Sequence, residues 1–372
     1  MFKFRLIKKD KRSGARAGML KTGHGVVDTP VFMPVGTQGS VKSMSFQDLE
    51  KMRIQIILAN TYHLYLRPGM DVIEKAGGLH NFCGWQGPIL TDSGGYQVFS
   101  MSELRKIEDN GVCFRSHLDG SQHFIGPKEA IDIQRVIGSD IAMVFDECTP
   151  FPATYDYACN SVSLSVKWAR LCKNFHNSGS QALFGIVQGS VYKDLRIKCA
   201  QELVDIGFDG YAIGGLSVGE PDTVMYEIAD TVLPYLPESK PRYLMGCGTP
   251  VNIIEAVSRG IDMFDCVMPT RNARNGSAFT SRGKINIRNA GYKLDFGPIE
   301  RGCGCFACKN YSRAFIRHMI IAGEMLGAKL LTCHNLHFYN RMMHDIRASI
   351  KKGKFCAYKE KFLKTYNEKG EK

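Results

Sequence analysis

Residues 263–276 read MFDCVMPTRNARNG. A short apolar run carries one carboxylate, Asp265, then breaks at Pro269 into a polar, glycine-ended loop with Arg271 and Arg274 three residues apart. Burying a carboxylate is costly unless it is paired or put to use, so Asp265 requires a function or a partner. The two arginines require an anion.

The run is the last of eight of one kind. VFMPVGT (31–37), IILANTYH (56–63), PILTDSGG (88–95), IAMVFDE (141–147), LFGIVQG (183–189), YAIGGLS (211–217), YLMGCG (243–248) and MFDCVMP (263–269) are short, apolar and end in small or polar residues. Helical patterns separate several of them: SFQDLEKM behind a serine cap, GPKEAIDIQRVIG with proline in its first turn, SVSLSVKWARLCKNF, KDLRIKCAQELVDIG and TPVNIIEAVSRG. Alternating strands and helices imply a parallel sheet, and eight of them close into an α/β (β/α)8 TIM barrel.

Three segments stand outside the pattern. The first thirty residues read as a strand pair capping one end of the barrel, and about 106–127 read as an inserted hairpin around Asp119-Gly120. Residues 277–340 form a glycine- and cysteine-rich subdomain after the last strand, residues 341–372 return as helices, and Lys361 to Lys372 read as a frayed tail. The barrel itself, with its capping strands and insert, spans 1–276.

The whole chain sets outer bounds. Its 372 residues fit two domains or one barrel with insertions. Lys and Arg number 48 against 36 Asp and Glu, leaving +12 and a polyanionic partner such as nucleic acid. The basic start is not followed by an apolar signal core, and no run approaches a membrane span, so no membrane role and a cytoplasmic location are expected. Thirteen cysteines, mostly single in apolar runs, suit a reducing compartment and not a disulfide framework.

In a barrel of this kind the site lies at the C-terminal ends of the strands. Those ends supply Asp92, Asp146, Gln188, Gly214-Gly215, Gly246, Gly248 and Asp265. Carboxylates accept from amino and imino groups, an amide offers both donor and acceptor, and glycines allow close backbone approach. A purine fits this set better than a sugar or an acyl group, with Tyr96 and Met245 placed to sandwich a ring. Thr270, Arg271 and Arg274, beside Asn272 and Asn275, suit flanking phosphates. CGCFAC brings Cys303, Cys305 and Cys308 together, and His334 in TCHNLHFY completes a closed Cys3His set of structural zinc type, with Cys333 and His337 as rivals for the fourth place. No P-loop, dinucleotide fingerprint or nucleophile elbow is present.

These motifs closely resemble those of the queuine/preQ1 tRNA-guanine transglycosylases, the bacterial branch in particular, from about residue 3 to 365. TDSGGYQVFS, FDECTP, GIVQGS, YAIGGLSVGE, YLMGCGTP, FDCVMPTRNARNG and the CGCFAC…H set carry the likeness. The resemblance implies a barrel with an inserted zinc subdomain and one structural Zn2+ per chain. It also implies a homodimer that exchanges the wobble guanine of GUN-anticodon tRNAs (Asp, Asn, His, Tyr) for preQ1, a step of queuosine biosynthesis. By the same resemblance Asp265 is the nucleophile toward C1′ of the ribose and Asp92 the general acid/base. Asp146, Gln188, Gly215 and the Leu216 backbone would read the base edge, Tyr96 and Met245 would stack on it, and Thr270, Arg271 and Arg274 would hold the anticodon backbone. Cys148 and Val218 stand where the family's choice between preQ1 and queuine is tracked, and both look bacterial. Ser217 departs from the alanine of many relatives. A non-catalytic tRNA-binding partner subunit, queuine as the incoming base, and a glycosidase acting on free nucleosides are the competing readings.

Overall fold

The structure, a computed structural model, describes residues 2–101 and 105–367. Eight parallel strands close into a barrel: one Val31–Gly36, two Ile57–Ala59, three Ile89–Thr91, four Ile141–Met143, five Ala182–Val187, six Gly210–Ile213, seven Arg242–Leu244 and eight Met263–Cys266. Strand eight pairs with strand one through Met263↔Val31 to Cys266↔Pro34, which closes the ring. Strands covered on both faces are apolar throughout, and strands one to seven are wholly buried. Closure leaves the barrel no unpaired edge.

Most strands are shorter than their apolar runs. IILANTYH does not extend to His63: Asn60 leaves the ladder and caps the helix Thr61–Leu66, its Oδ1 accepting from His63 N at 3.0 Å. A side-chain oxygen that satisfies a free helical N–H favours helix over further strand. The residues released this way build the mouth.

The N-terminal segment is a three-stranded meander, Lys3–Lys9, Arg16–Thr22 and Gly25–Thr29, and not a pair. It closes the end of the barrel opposite the mouth. Buried Arg16 donates to both oxygens of Asp262, just before strand eight, and to the Lys240 carbonyl, just before strand seven. The inserted hairpin is likewise three strands, Arg105–Glu108, Gly111–Arg115 and Gln122–Ile125. The extra strand follows from a second turn at Asp109-Asn110 ahead of Gly111. This sheet docks on the Thr61–Leu66 helix through Tyr62 Oη with His117 Nδ1 at 2.9 Å and Tyr65 Oη with His123 Nδ1 at 3.0 Å.

Beyond strand eight, strands Ser277–Thr280 and Gly283–Asn286 and helices Phe306–Asn310 and Arg313–Ile321 gather around a second core that includes Ala278, Ile287, Ile299, Ala307 and Ile316. One helix, Met325–Lys351, crosses the boundary expected at 340/341. Its early face packs in the second core through Leu330 and Leu331, and Phe338, Tyr339, Met342 and Met343 pack in the barrel core. The final helix Phe355–Asn367 replaces most of the expected frayed tail, because Tyr358, Phe362 and Tyr366, at four-residue spacing, form one stripe against the barrel. Residues 368–372 of that tail lie outside the described residues.

Candidate active site

Asp92 follows strand three. Its Oδ1 accepts from Thr61 N at 2.9 Å and Gly94 N at 3.2 Å, and its Oδ2 accepts from Asn60 Nδ2. Burial pushes its carboxyl up to about 7 against these donors, and the charge of Asp265 adds to the rise. Loss of hydration favours the neutral acid, and a nearby like charge does the same.

Asp265 lies on strand eight, half-buried at the mouth. Its Oδ1 takes two hydrogen bonds, from Tyr243 Oη at 2.5 Å and Gly246 N at 2.8 Å. Burial raises its carboxyl above the usual range, while the same two donors pull it down. Gly246 has φ +73°, a conformation that favours glycine, and this turn aims its N–H at the carboxylate.

Asp146 follows strand four and is buried. Its Oδ1 accepts from Ser93 Oγ at 3.0 Å and its Oδ2 from Gln188 Nε2 at 2.6 Å. Burial pushes it up to about 6. Gln188 keeps one buried oxygen, Oε1, without a protein partner. Gly215 has φ +62°, and a Cβ there would stand 2.4 Å from that oxygen. Leu216 is buried beside it, and Met245 packs near Gly214. Tyr96 is 51% exposed at the start of the helix Gly95–Met101. Burial, with the Asp146 charge, pushes the Cys148 thiol up to about 12 and keeps it protonated.

Beyond strand eight the expected loop is a helix, Met268–Arg274, with Pro269 in its first turn. Arg271 and Arg274 are exposed, and among the described residues no carboxylate pairs with either. Thr270 is 3% exposed, and its hydroxyl donates to Val267 O at 3.1 Å and braces the helix.

Cys303, Cys305, Cys308 and His334 bring one ligand atom each within 4.8 Å of the others. His334 Nδ1 lies 3.8, 3.6 and 3.3 Å from the three sulfurs, and its Nε2 donates to Phe279 O at 2.7 Å. That bond assigns the proton to Nε2 and leaves Nδ1 free to ligate a metal. Cys333 and His337 stand outside the four-residue group. A second group, His24, His80 and Asp140, lies at the opposite end of the barrel. Its imidazoles are stacked at 3.6 Å and 15°, so their in-plane lone pairs run in parallel layers and do not converge on one ion.

Several residues of the mouth went unread in the sequence. Asn60 and Thr61 hold Asp92, Ser93 holds Asp146, and Tyr243 holds Asp265. Asn60-Thr61 directly follows strand two, and a polar pair closing an apolar run was its signal. Arg196 is fully buried and donates to the carbonyls of Ser190 at 2.8 Å, Val187 at 2.7 Å, Gly214 at 2.7 Å and Gly215 at 3.3 Å. It ties the ends of strands five and six together. A cation on the apolar stripe Leu195, Cys199, Ala200 and Leu203 was its signal.

A closed parallel barrel whose mouth gathers the carboxyls of Asp92, Asp146 and Asp265, in a chain that also carries a Cys3His group able to hold a metal ion, has the architecture of a barrel enzyme. Comparison with known proteins gives the family. The chain belongs to the queuine tRNA-ribosyltransferases, whose family model matches residues 10–368, and it is thereby a pentosyltransferase. It is 60% identical over 365 residues to the queuine tRNA-ribosyltransferase of Caldanaerobacter subterraneus subsp. tengcongensis, covering 98% of this chain and 97% of that one. It is 58% identical over 370 residues to that of Thermoanaerobacter sp. (strain X514), covering 99% of each, and 52% identical over 366 residues to that of Symbiobacterium thermophilum, covering 98% and 92%. No helix among the described residues is long and apolar enough to cross a membrane.

Proposed function

We propose that this protein exchanges the wobble guanine of GUN-anticodon tRNAs for preQ1 through a covalent aspartyl-ribose intermediate. The observation that carries the reading is the pairing of Asp92 and Asp265, two carboxyls in one mouth with different hydrogen-bonding surroundings. Asp265 Oδ2 attacks C1′ of the ribose as the C1′–N9 bond breaks, and Asp92 gives its proton to the departing guanine. Asp92 then takes a proton from the incoming base, which attacks C1′ and releases Asp265. This is the double displacement of a retaining glycosidase applied to a nucleoside.

Asp146, Gln188 and the backbone at Gly215 and Leu216 read the base edge, and the unpartnered Gln188 Oε1 supports a donor arriving from the ligand. Tyr96 and Met245 cover its faces, and Cys148 lies beside the edge. The target nucleotide leaves its stack to enter, and Arg271 and Arg274 hold the phosphates on either side. Cys303, Cys305, Cys308 and His334 hold one structural Zn2+, which cross-links the subdomain. The protein acts in the cytoplasm as a homodimer.

The test is incorporation of labelled guanine into a GUN-anticodon transcript without ATP, with competition by preQ1 and queuine. Incorporation lost when the wobble guanine is replaced, and stronger competition by preQ1, support the proposal. No incorporation while tRNA is still bound would make the protein a non-catalytic partner, and stronger competition by queuine would change the incoming base.

A further inference from the structure

Both hydrogen bonds to Asp265 fall on the same oxygen. Tyr243 Oη and Gly246 N donate to Oδ1, and among the described residues no group donates to Oδ2. Tyr243 is fully buried on strand seven, and the hydrogen bond of its hydroxyl goes to Asp265. Its phenol is raised well above the usual tyrosine value by burial and by the Asp265 charge, so it remains a proton donor at every working pH.

Resting on the function proposed above, we infer that Tyr243 is a positioning residue that reserves Oδ2 for attack and, with Gly246 N, stabilises Asp265 as a leaving group in the second half-reaction. The bond changes follow from the geometry. In the first half Oδ2 bonds to C1′, the C1′–N9 pair departs with guanine, and guanine takes the proton of Asp92. Oδ1 is then the carbonyl oxygen of an ester, a weaker acceptor than a carboxylate, and both hydrogen bonds weaken. In the second half the incoming base loses a proton to Asp92 and bonds to C1′, and the Oδ2–C1′ pair returns to the carboxylate. Charge reappears on Oδ1 where two fixed donors wait, which is the logic of an oxyanion hole applied to a carboxylate.

Tyr243→Phe removes one donor and keeps the ring. It should favour the ester, because the lost bond is stronger to the carboxylate than to the ester carbonyl, and the shift should be roughly tenfold. The enzyme is mixed with a GUN-anticodon RNA, quenched in SDS, and the SDS-stable RNA–protein adduct is measured while guanine is titrated in. The guanine concentration that half-discharges the adduct should rise roughly tenfold in Tyr243→Phe, and discharge should slow, with RNA affinity unchanged. Tyr211→Phe, which alters another buried barrel tyrosine, serves as the control for packing and should leave the partition in place. If Tyr243→Phe does not fold, 3-fluorotyrosine at position 243, a more acidic phenol of the same shape, should move the partition the other way. An adduct in the native enzyme with an unshifted partition in the variant overturns this inference alone. No adduct in the native enzyme overturns the covalent mechanism beneath it.

Discussion

Asp92 and Asp265 share one mouth: burial lifts the Asp92 carboxyl to about 7 and the charge of Asp265 adds to the rise, while Asp265 itself keeps two donors on one oxygen. One mouth thus holds a carboxyl that is half-protonated near neutrality beside one whose burial is countered by two donors on a single oxygen. An acid that donates and then accepts a proton works best with its affinity near the working pH.

Release of guanine in a single turnover should follow this titration. In the proposed mechanism the step needs protonated Asp92 and ionised Asp265, so its rate should fall about tenfold per pH unit above about 7, and it should fall again in acid as Asp265 is neutralised. Rapid-quench release of labelled guanine between pH 5.5 and 8.5 measures it. A flat alkaline limb would remove Asp92 as the acid.

The same burial makes the mouth a cost to folding. Asp92 and Asp146 are raised in the folded state, to about 7 and about 6, above the unfolded value of about 3.9. A group with raised affinity contributes its stability fully below the unfolded value and loses it as pH rises through the folded one, here between about pH 4 and 7. Asp146→Asn should therefore gain about 1–2 kcal/mol relative to the native chain on going from pH 5 to pH 8, while base exchange is lost. Denaturant unfolding at the two pH values tests the sign, and a relative loss at pH 8 would contradict it.

Arg196→Met leaves the carbonyls of Val187, Ser190, Gly214 and Gly215 without their buried donor. The variant should lose about 2–4 kcal/mol of stability. Its KM for the free base should rise more than its affinity for tRNA falls, because the two glycines border the base site proposed above. Equal changes in both would place Arg196 in general packing.

Metal analysis should find one ion per chain, and Cys305→Ser should lose it. His334 binds Phe279 O, and the next residue, Asn335, accepts from Phe279 N at 3.0 Å and donates to Pro269 O at 2.9 Å. Chelation should therefore speed amide exchange at Phe279 while the barrel strands stay protected. Uniform exchange across both regions would show a single cooperative unit.

Arg271→Ala with Arg274→Ala should lower the slope of log K against log salt for tRNA binding by about 1.4, two single-strand phosphate contacts at about 0.7 each. Filter binding between 50 and 200 mM salt, on the order at which such slopes are read, gives the value. An unchanged slope would return both side chains to a solvated surface.

The barrel was legible because strands covered on both faces must be apolar, and a run such as ALFGIV reads as nothing else between two helices. The acids at the strand ends were legible for the converse reason, since a carboxylate closing an apolar run is visible as a cost. The insert and the N-terminal segment each hid a third strand, because short half-exposed strands such as Arg105–Glu108 carry little apolar signal. The loop expected after strand eight hid the helix Met268–Arg274, which turns Thr270 inward, because its polar residues carry little helical signal.

By itself the sequence determined the eightfold alternation, the acids that close its apolar runs and the three thiols of CGCFAC, since these depend on residue type and spacing along the chain; it left Cys333, His334 and His337 open for the fourth ligand place, and only the fold groups His334 with the thiols. Only the tertiary structure decided that Asn60 and Thr61 hold Asp92, that Tyr243 and Gly246 share one oxygen of Asp265, and that Arg196 ties two strand ends together. Proton affinity and hydrogen-bond direction depend on burial and on distances of a few ångströms between residues far apart in the chain, and those distances are set only when strand eight meets strand one and the barrel closes.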